Sequence, residues 1–142
     1  MISRPGLFYR RIGEAEPGIP DQLLVELAEY LRGSREEFTL KPEYPKGGFA
    51  GKVLDIVRGI PYGETLTYGE VAARAGRPGA ARAVGAVLRS NPVPLLVPCH
   101  RVVGKNWIGG YGLGVDVKVL LLKIEGALPT PSRRPRRRAR TF

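Results

Sequence analysis

Five short stretches of this sequence space their apolar residues for a helix, and glycine or proline cuts each of them off early. In DQLLVELAEYLR, residues 21 to 32, Leu24, Leu27, Ala28 and Leu31 share one face, with Asp21 as the N-cap and Gly33 as the stop. From Phe49 a second face unites Phe49, Val53, Ile56 and Val57 and ends at IPYG. In TYGEVAARAG, Thr67 and Glu70 have the spacing of a capping box. Beyond the break GRPG, residues 80 to 89 read AARAVGAVLR, and the last stretch, GVDVKVLLLKIEGA, aligns Val117, Leu120, Leu121 and Ile124 between Asp116 and a stop at Gly126. Only LFYRRIG, near the N-terminus, reads as a strand, and the turn-rich FTLKPEYPKGG is a linker between a short first segment and a second unit.

A chain of 142 residues has room for one compact domain. No stretch approaches the roughly 20 apolar residues of a spanning helix, so no membrane segment is expected. MISRPGLFYRRIG lacks the apolar core of a signal peptide, and the expected setting is intracellular, where a lone thiol stays reduced. One cysteine excludes an internal disulfide, and one cysteine with one histidine cannot build the usual four-ligand zinc site, so no metal is expected. The net charge of +10 and the pI near 10.3 point to a polyanionic partner. Six arginines lie in SRRPRRRAR, which leaves the rest of the chain only +4. Such a run is either merely solvated or a basic arm. The scarcity of Asn, Gln, Met and Cys beside 19 Gly and 13 Pro is compatible with a heat-adapted source.

Two short helices around the tight GRPG break have the outline of a helix-turn-helix. The second is crowded with small residues, Ala80, Ala81, Ala83, Gly85 and Ala86, around the single large Arg82. Two readings fit: close packing on another helix, or close approach to a nucleic-acid groove with Arg82 protruding into it. The only cysteine and the only histidine are adjacent, in NPVPLLVPCHRVVG. A cysteine with a pKa of about 8.5 needs a base or a positive neighbour to act as a nucleophile, and His100 is a candidate base for Cys99. In an extended segment the two side chains would point opposite ways, so a turn or a bridging water is required. The alternative is a buried cysteine acting as a small hydrophobe. Glu125 stands in the last turn of the final helix, where the helix dipole disfavours an acid, and it is free to orient His100.

From Phe49 to Ala127 the sequence resembles the O6-alkylguanine-DNA alkyltransferases, which repair DNA by direct reversal. NPVPLLVPCHRV is similar to that family's active-site signature, TYGEVA and AARAVG to its helix-turn-helix, and GGYGLG with LLLKIEG to its active-site loop and final helix. The resemblance implies an α+β chain whose mainly helical C-terminal domain carries a winged-helix-like helix-turn-helix behind a reduced N-terminal segment. Its divisions would be residues 1–48, a short segment and linker; 49–128, the DNA-binding alkyltransferase domain; and 129–142, a basic tail.

The family likeness also assigns roles. Cys99 would accept the alkyl group in a single turnover, His100 would take the thiol proton through a water, and Glu125 would orient His100. Tyr68 would donate to the guanine ring, and Asn91 would hold the turn that positions the cysteine. Arg82 would fill the gap left by a flipped base, with Ala81 and Gly85 on the helix that enters the minor groove and Tyr111 at the base. The implied partner is double-stranded DNA carrying O6-alkylguanine, met by a monomer without a cofactor.

The chain departs from the family in three places. Only 48 residues precede Phe49, Gly112 stands where some members have serine, and the arginine tail has no counterpart. The rival readings are an alkyltransferase-like protein that binds lesions without repairing them, a cysteine hydrolase, and a basic nucleic-acid binder with an inert cysteine.

Overall fold

A computed structural model of the chain describes residues 21–128. The elements are α1 (Asp21–Leu31), α2 (Gly48–Arg58), β1 (Leu66–Thr67), α3 (Tyr68–Arg74), α4 (Ala81–Arg89), one 3-10 turn (Cys99–Arg101), β2 (Val102–Val103) and α5 (Val115–Ile124). The architecture is mainly helical with one small parallel sheet, in which Leu66 pairs with Val102 and Thr67 with Val103. The LFYRRIG strand and the arginine-rich stretch lie outside the described residues.

Helices α2, α3 and α4 pack on one another around Val53, Leu54, Val57, Val71, Ala72, Val84 and Leu88. Leu23, Leu27 and Tyr30 of α1 join the same core, as do Val117 and Leu121 of α5. Between α3 and α4, Gly76 and Gly79 take φ of +88° and +93°, backbone that other residues adopt only with strain, and this lets the chain reverse within a few residues. The capping box is present: Glu70 donates its N–H to Thr67 Oγ1 at 3.0 Å, and Thr67 donates its N–H to Glu70 Oε1 at 2.8 Å. Since Thr67 also belongs to β1, the cap ties the first residue of α3, Tyr68, to the sheet. The other strand of that sheet follows directly on Cys99–Arg101. The sheet, though only two residues long on each side, therefore sets Tyr68 against the cysteine turn.

The helix boundaries agree with the apolar patterns, with Asp21 the first helical residue and not the cap, and so does the face of α2, but the faces of α1 and α5 do not. On α1 the buried residues are Leu23, Glu26, Leu27 and Tyr30, while Leu24, Ala28 and Leu31 are exposed. The helix is rotated because two of its polar groups find partners on the inner side: Glu26 accepts from the Thr39 N–H at 2.9 Å and from Thr39 Oγ1 at 2.6 Å, and Tyr30 Oη donates to Glu125. On α2, Gly51, Val53, Leu54 and Val57 are buried and Phe49 and Ile56 sit at the margin. Gly51 is buried because the backbone of Lys46 passes so near that an added Cβ would stand 2.6 Å from its carbonyl carbon. On α5, Lys118 and Leu122 join Val117 and Leu121 inside, whereas Leu120 is 51% exposed and Ile124 half-buried.

Candidate active site

The cysteine is presented by a strained and braced loop. Asn91 spans it, its Oδ1 accepting the Val93 N–H at 3.0 Å and its Nδ2 donating to the Val97 carbonyl at 2.9 Å. Inside that span Leu95 takes φ +76°, a left-handed conformation that costs a non-glycine residue on the order of 1 kcal/mol or more. Pro98 then leads into the 3-10 turn, so Cys99 and His100 do not alternate as they would in a strand. Cys99 lines a cavity, while His100 and Arg101 are buried behind it.

Glu125, the C-cap of α5, is the hub of the buried side. Its Oε2 receives His100 Nε2 at 2.8 Å, Tyr30 Oη at 2.6 Å and Arg101 Nη2 at 2.8 Å, and its Oε1 receives Arg101 Nε at 2.8 Å. Arg101 also donates through Nη1 to the Ile60 carbonyl at 2.7 Å. A carboxylate at the negative end of a helix is thus held by a bidentate guanidinium and two further donors. A carboxylate can only accept, so the imidazole proton sits on Nε2 and Nδ1 carries the lone pair. Among the described residues, Nδ1 is buried with no protein partner.

The cavity on the other side of Cys99 encloses about 710 Å³. Tyr68, Ala81, Arg82, Gly85 and Tyr111 all line it with Cys99, so six of the nine residues nominated from the sequence meet at one surface. The other three do not line it: Asn91 braces the loop that carries Cys99, and His100 and Glu125 are buried behind it. Arg82 is exposed at the rim with Arg89 and Lys105, and Gly112 lines the wall with backbone alone. The Tyr68 hydroxyl accepts the Gly110 N–H at 3.2 Å. Gly109, at φ +84°, passes so close that a Cβ there would lie 2.6 Å from Tyr68 Oη and 2.9 Å from Lys118 Nζ. Lys118 Nζ donates to the carbonyls of Val102, at 2.6 Å, and Gly110, at 3.0 Å, which fastens the loop over the cavity to β2.

With this geometry in view, the profile of the family described as "6-O-methylguanine DNA methyltransferase, DNA binding domain" matches residues 48–127. The chain belongs to this family. It is 45% identical over 102 residues to the inducible methylated-DNA-protein-cysteine methyltransferase of Bacillus subtilis, a match covering 71% of this chain and 57% of that protein. It is 43% identical over 122 residues to the methylated-DNA-protein-cysteine methyltransferase of Salmonella typhimurium, covering 84% and 70%. The fold is similar to Mycobacterium tuberculosis OGT in a crystal structure with DNA, with a TM-score of 0.69 and 41% identity over 73% of this chain and 64% of that one. The chain spans little more than half the length of some of these methyltransferases.

Set against the methyltransferase motifs, sequence reasoning passed over three residues at this site: Tyr30, Arg101 and Lys118. Arg101 directly follows His100, so its neighbourhood was a signal. Lys118 had one too, a cation set among the apolar residues of the last helix at the spacing of its buried face. Tyr30 had none, because its partner lies 95 residues away. The electrostatics follow from burial. Burial pushes the Cys99 thiol up, against the pull of the Asn91 amide and the Lys118 charge, so the resting group is a thiol. Burial pushes His100 down and keeps it neutral, the state in which Nδ1 accepts a proton. Burial alone would raise Glu125, but the bonds from His100 and Arg101 outweigh it and hold the carboxyl at about 2. Burial lowers Lys118 to about 8 and raises Tyr68.

Proposed function

We propose that this chain removes the alkyl group from O6-alkylguanine in double-stranded DNA and keeps it on Cys99. The observation that carries the reading is the division of labour across one wall: a thiol open to the cavity, and behind it a neutral imidazole whose Nε2–H is committed to Glu125, leaving Nδ1 basic. The Cys99 proton passes through a water to His100 Nδ1, and the imidazolium is balanced by Glu125. Sulfur attacks the alkyl carbon in line, a C–S bond forms as the C–O6 bond breaks, and the electron pair goes to the guanine oxygen. Tyr68, kept protonated by burial, donates a hydrogen bond to the ring as charge develops, and the one proton lost by the Cys99 thiol balances the one proton the released guanine takes up. The products are guanine and a thioether, which nothing at the site can cleave, so each molecule acts once and no cofactor takes part.

Chemistry on a base edge requires the nucleotide to leave the stack. In this reading α3 and α4 form the helix-turn-helix, winged-helix-like in its setting, with α4 in the minor groove. The small side chains of Ala81 and Gly85 allow that approach, and Arg82 fills the gap left by the base. Tyr111 and the backbone at Gly112 receive the guanine. The M. tuberculosis neighbour solved with DNA supports the nucleic-acid partner. Residues 1–48 serve as segment and linker, 49–128 as the repair domain of a monomer, and 129–142 as a basic arm that adds salt-sensitive affinity. Intact and peptide mass spectrometry after mixing with duplex DNA holding one O6-methylguanine tests the proposal. One methyl group per molecule, located on Cys99 and absent in Cys99→Ala, is expected. Tight binding without a mass change would make the protein a lesion binder, and no binding would overturn the reading altogether.

A further inference from the structure

The chain's single tryptophan, Trp107, is 59% exposed and lines the same cavity as Cys99. The proposed alkyl transfer gives it no role. Its setting is nevertheless built. The Gly104 N–H donates to the Trp107 carbonyl at 2.9 Å, which closes a tight turn, and the indole lies back across Gly104. An added Cβ at Gly104 would fall 2.1 Å from Trp107 Nε1 and 2.2 Å from Cδ1, so this placement of the ring requires glycine beneath it. Arg82, Arg89 and Lys105, all exposed, line the same cavity. An exposed indole costs solubility and contributes nothing to the core. Seated on Gly104 in a cavity that three cations also line, it has the features of a stacking platform for a nucleobase, with the cations available to the flanking phosphates.

We infer that Trp107 stacks on the everted nucleobase at the mouth of the cavity and holds it while the alkyl group is brought to Cys99. The inference rests on the proposed flipping of the target base, but it assigns a binding surface that the transfer chemistry itself does not require. Because Trp107 is the only tryptophan, its fluorescence reports on this residue alone.

The test uses the full chain carrying Cys99→Ala, titrated with three duplexes that hold O6-methylguanine, guanine or an abasic site at one position. Stacking predicts strong quenching by the O6-methylguanine duplex and little by the other two. Trp107→Ala in the same background should weaken binding of the lesion duplex roughly ten-fold, with Trp107→Phe restoring most of it. Equal quenching by all three duplexes would show that the indole touches the DNA without reading the base, and would overturn the inference. So would unaltered lesion affinity in Trp107→Ala. Methylation of the wild-type protein, followed by mass, separates these failures from a failure of the transfer reading.

Discussion

Lys118 illustrates how one buried charge serves structure and reactivity together. Its ammonium carries the Val102 and Gly110 carbonyls, and its field favours the Cys99 thiolate, which burial otherwise disfavours. Burial also strains Lys118 itself, as its shift to about 8 shows. Replacing it by methionine keeps the volume but removes donor and charge together. Lys118→Met is expected to raise the Cys99 pKa further and to slow alkyl transfer roughly ten-fold or more, since one pKa unit on the nucleophile is about 1.4 kcal/mol. Lesion binding should fall less than the rate. An ultraviolet titration of the thiolate, alongside single-turnover kinetics, checks both halves. Lys118→Arg, which retains the charge, should shift the thiol less, and an unchanged thiolate titration in Lys118→Met would remove the electrostatic role.

At the scale of elements, the sequence was legible wherever a boundary has a local cause. The Thr67–Glu70 capping box, the GRPG break and the Gly33 and Gly126 stops act through neighbouring backbone, and all appear where they were expected. Faces were less legible, because a helix rotates to satisfy distant partners. The apolar pattern of α1 favoured Leu24 and Leu31, yet Tyr30 and Glu26 set its orientation through Glu125 and Thr39. Cys99, His100 and Glu125 could be nominated by residue type, but Tyr30 belongs to the site only because the fold brings the end of α1 within a hydrogen bond of the C-cap of α5. Tyr30 should therefore have an effect out of proportion to its distance in sequence. Tyr30→Phe leaves the ring and removes one of four hydrogen bonds to Glu125, an expected loss of about 1 to 2 kcal/mol in urea unfolding. Glu125 would also hold His100 less firmly, so the acid limb of the transfer rate should move while lesion affinity stays put. A merely structural tyrosine would lower stability and leave that limb in place.

On the scale of the whole molecule, the buried network around Glu125 couples the fold to pH. The carboxyl titrates at about 2 in the folded chain against an ordinary value of 4.5, because the bonds from His100 and Arg101 outweigh its burial. Below pH 4.5 the unfolded chain takes up a proton that the folded chain refuses. The stabilisation from this group is therefore complete above about 4.5 and is lost as the pH falls towards 2, a contribution of a few kcal/mol. His100 acts in the same direction at higher pH. Burial lowers its pKa from 6.5, so protonation below that value favours the unfolded chain. Glu26 adds to the acid limb as well: its bonds to Thr39 and Gln22 and the nearby Arg35 lower it despite the opposing effect of burial. Glu125→Gln leaves Arg101 buried without its anion, so the variant should be less stable than the wild type by several kcal/mol at neutral pH. The gap should close progressively between about pH 4.5 and 2, because there the wild type loses the charge that the variant never had. Glu26→Gln supplies the control, since it alters the acid limb while leaving Arg101 paired. Urea unfolding of the three proteins from pH 7 to 2 measures the gap directly. A gap that stayed constant over that range would show that the hub is held by the shape of its hydrogen bonds and not by the Glu125 charge.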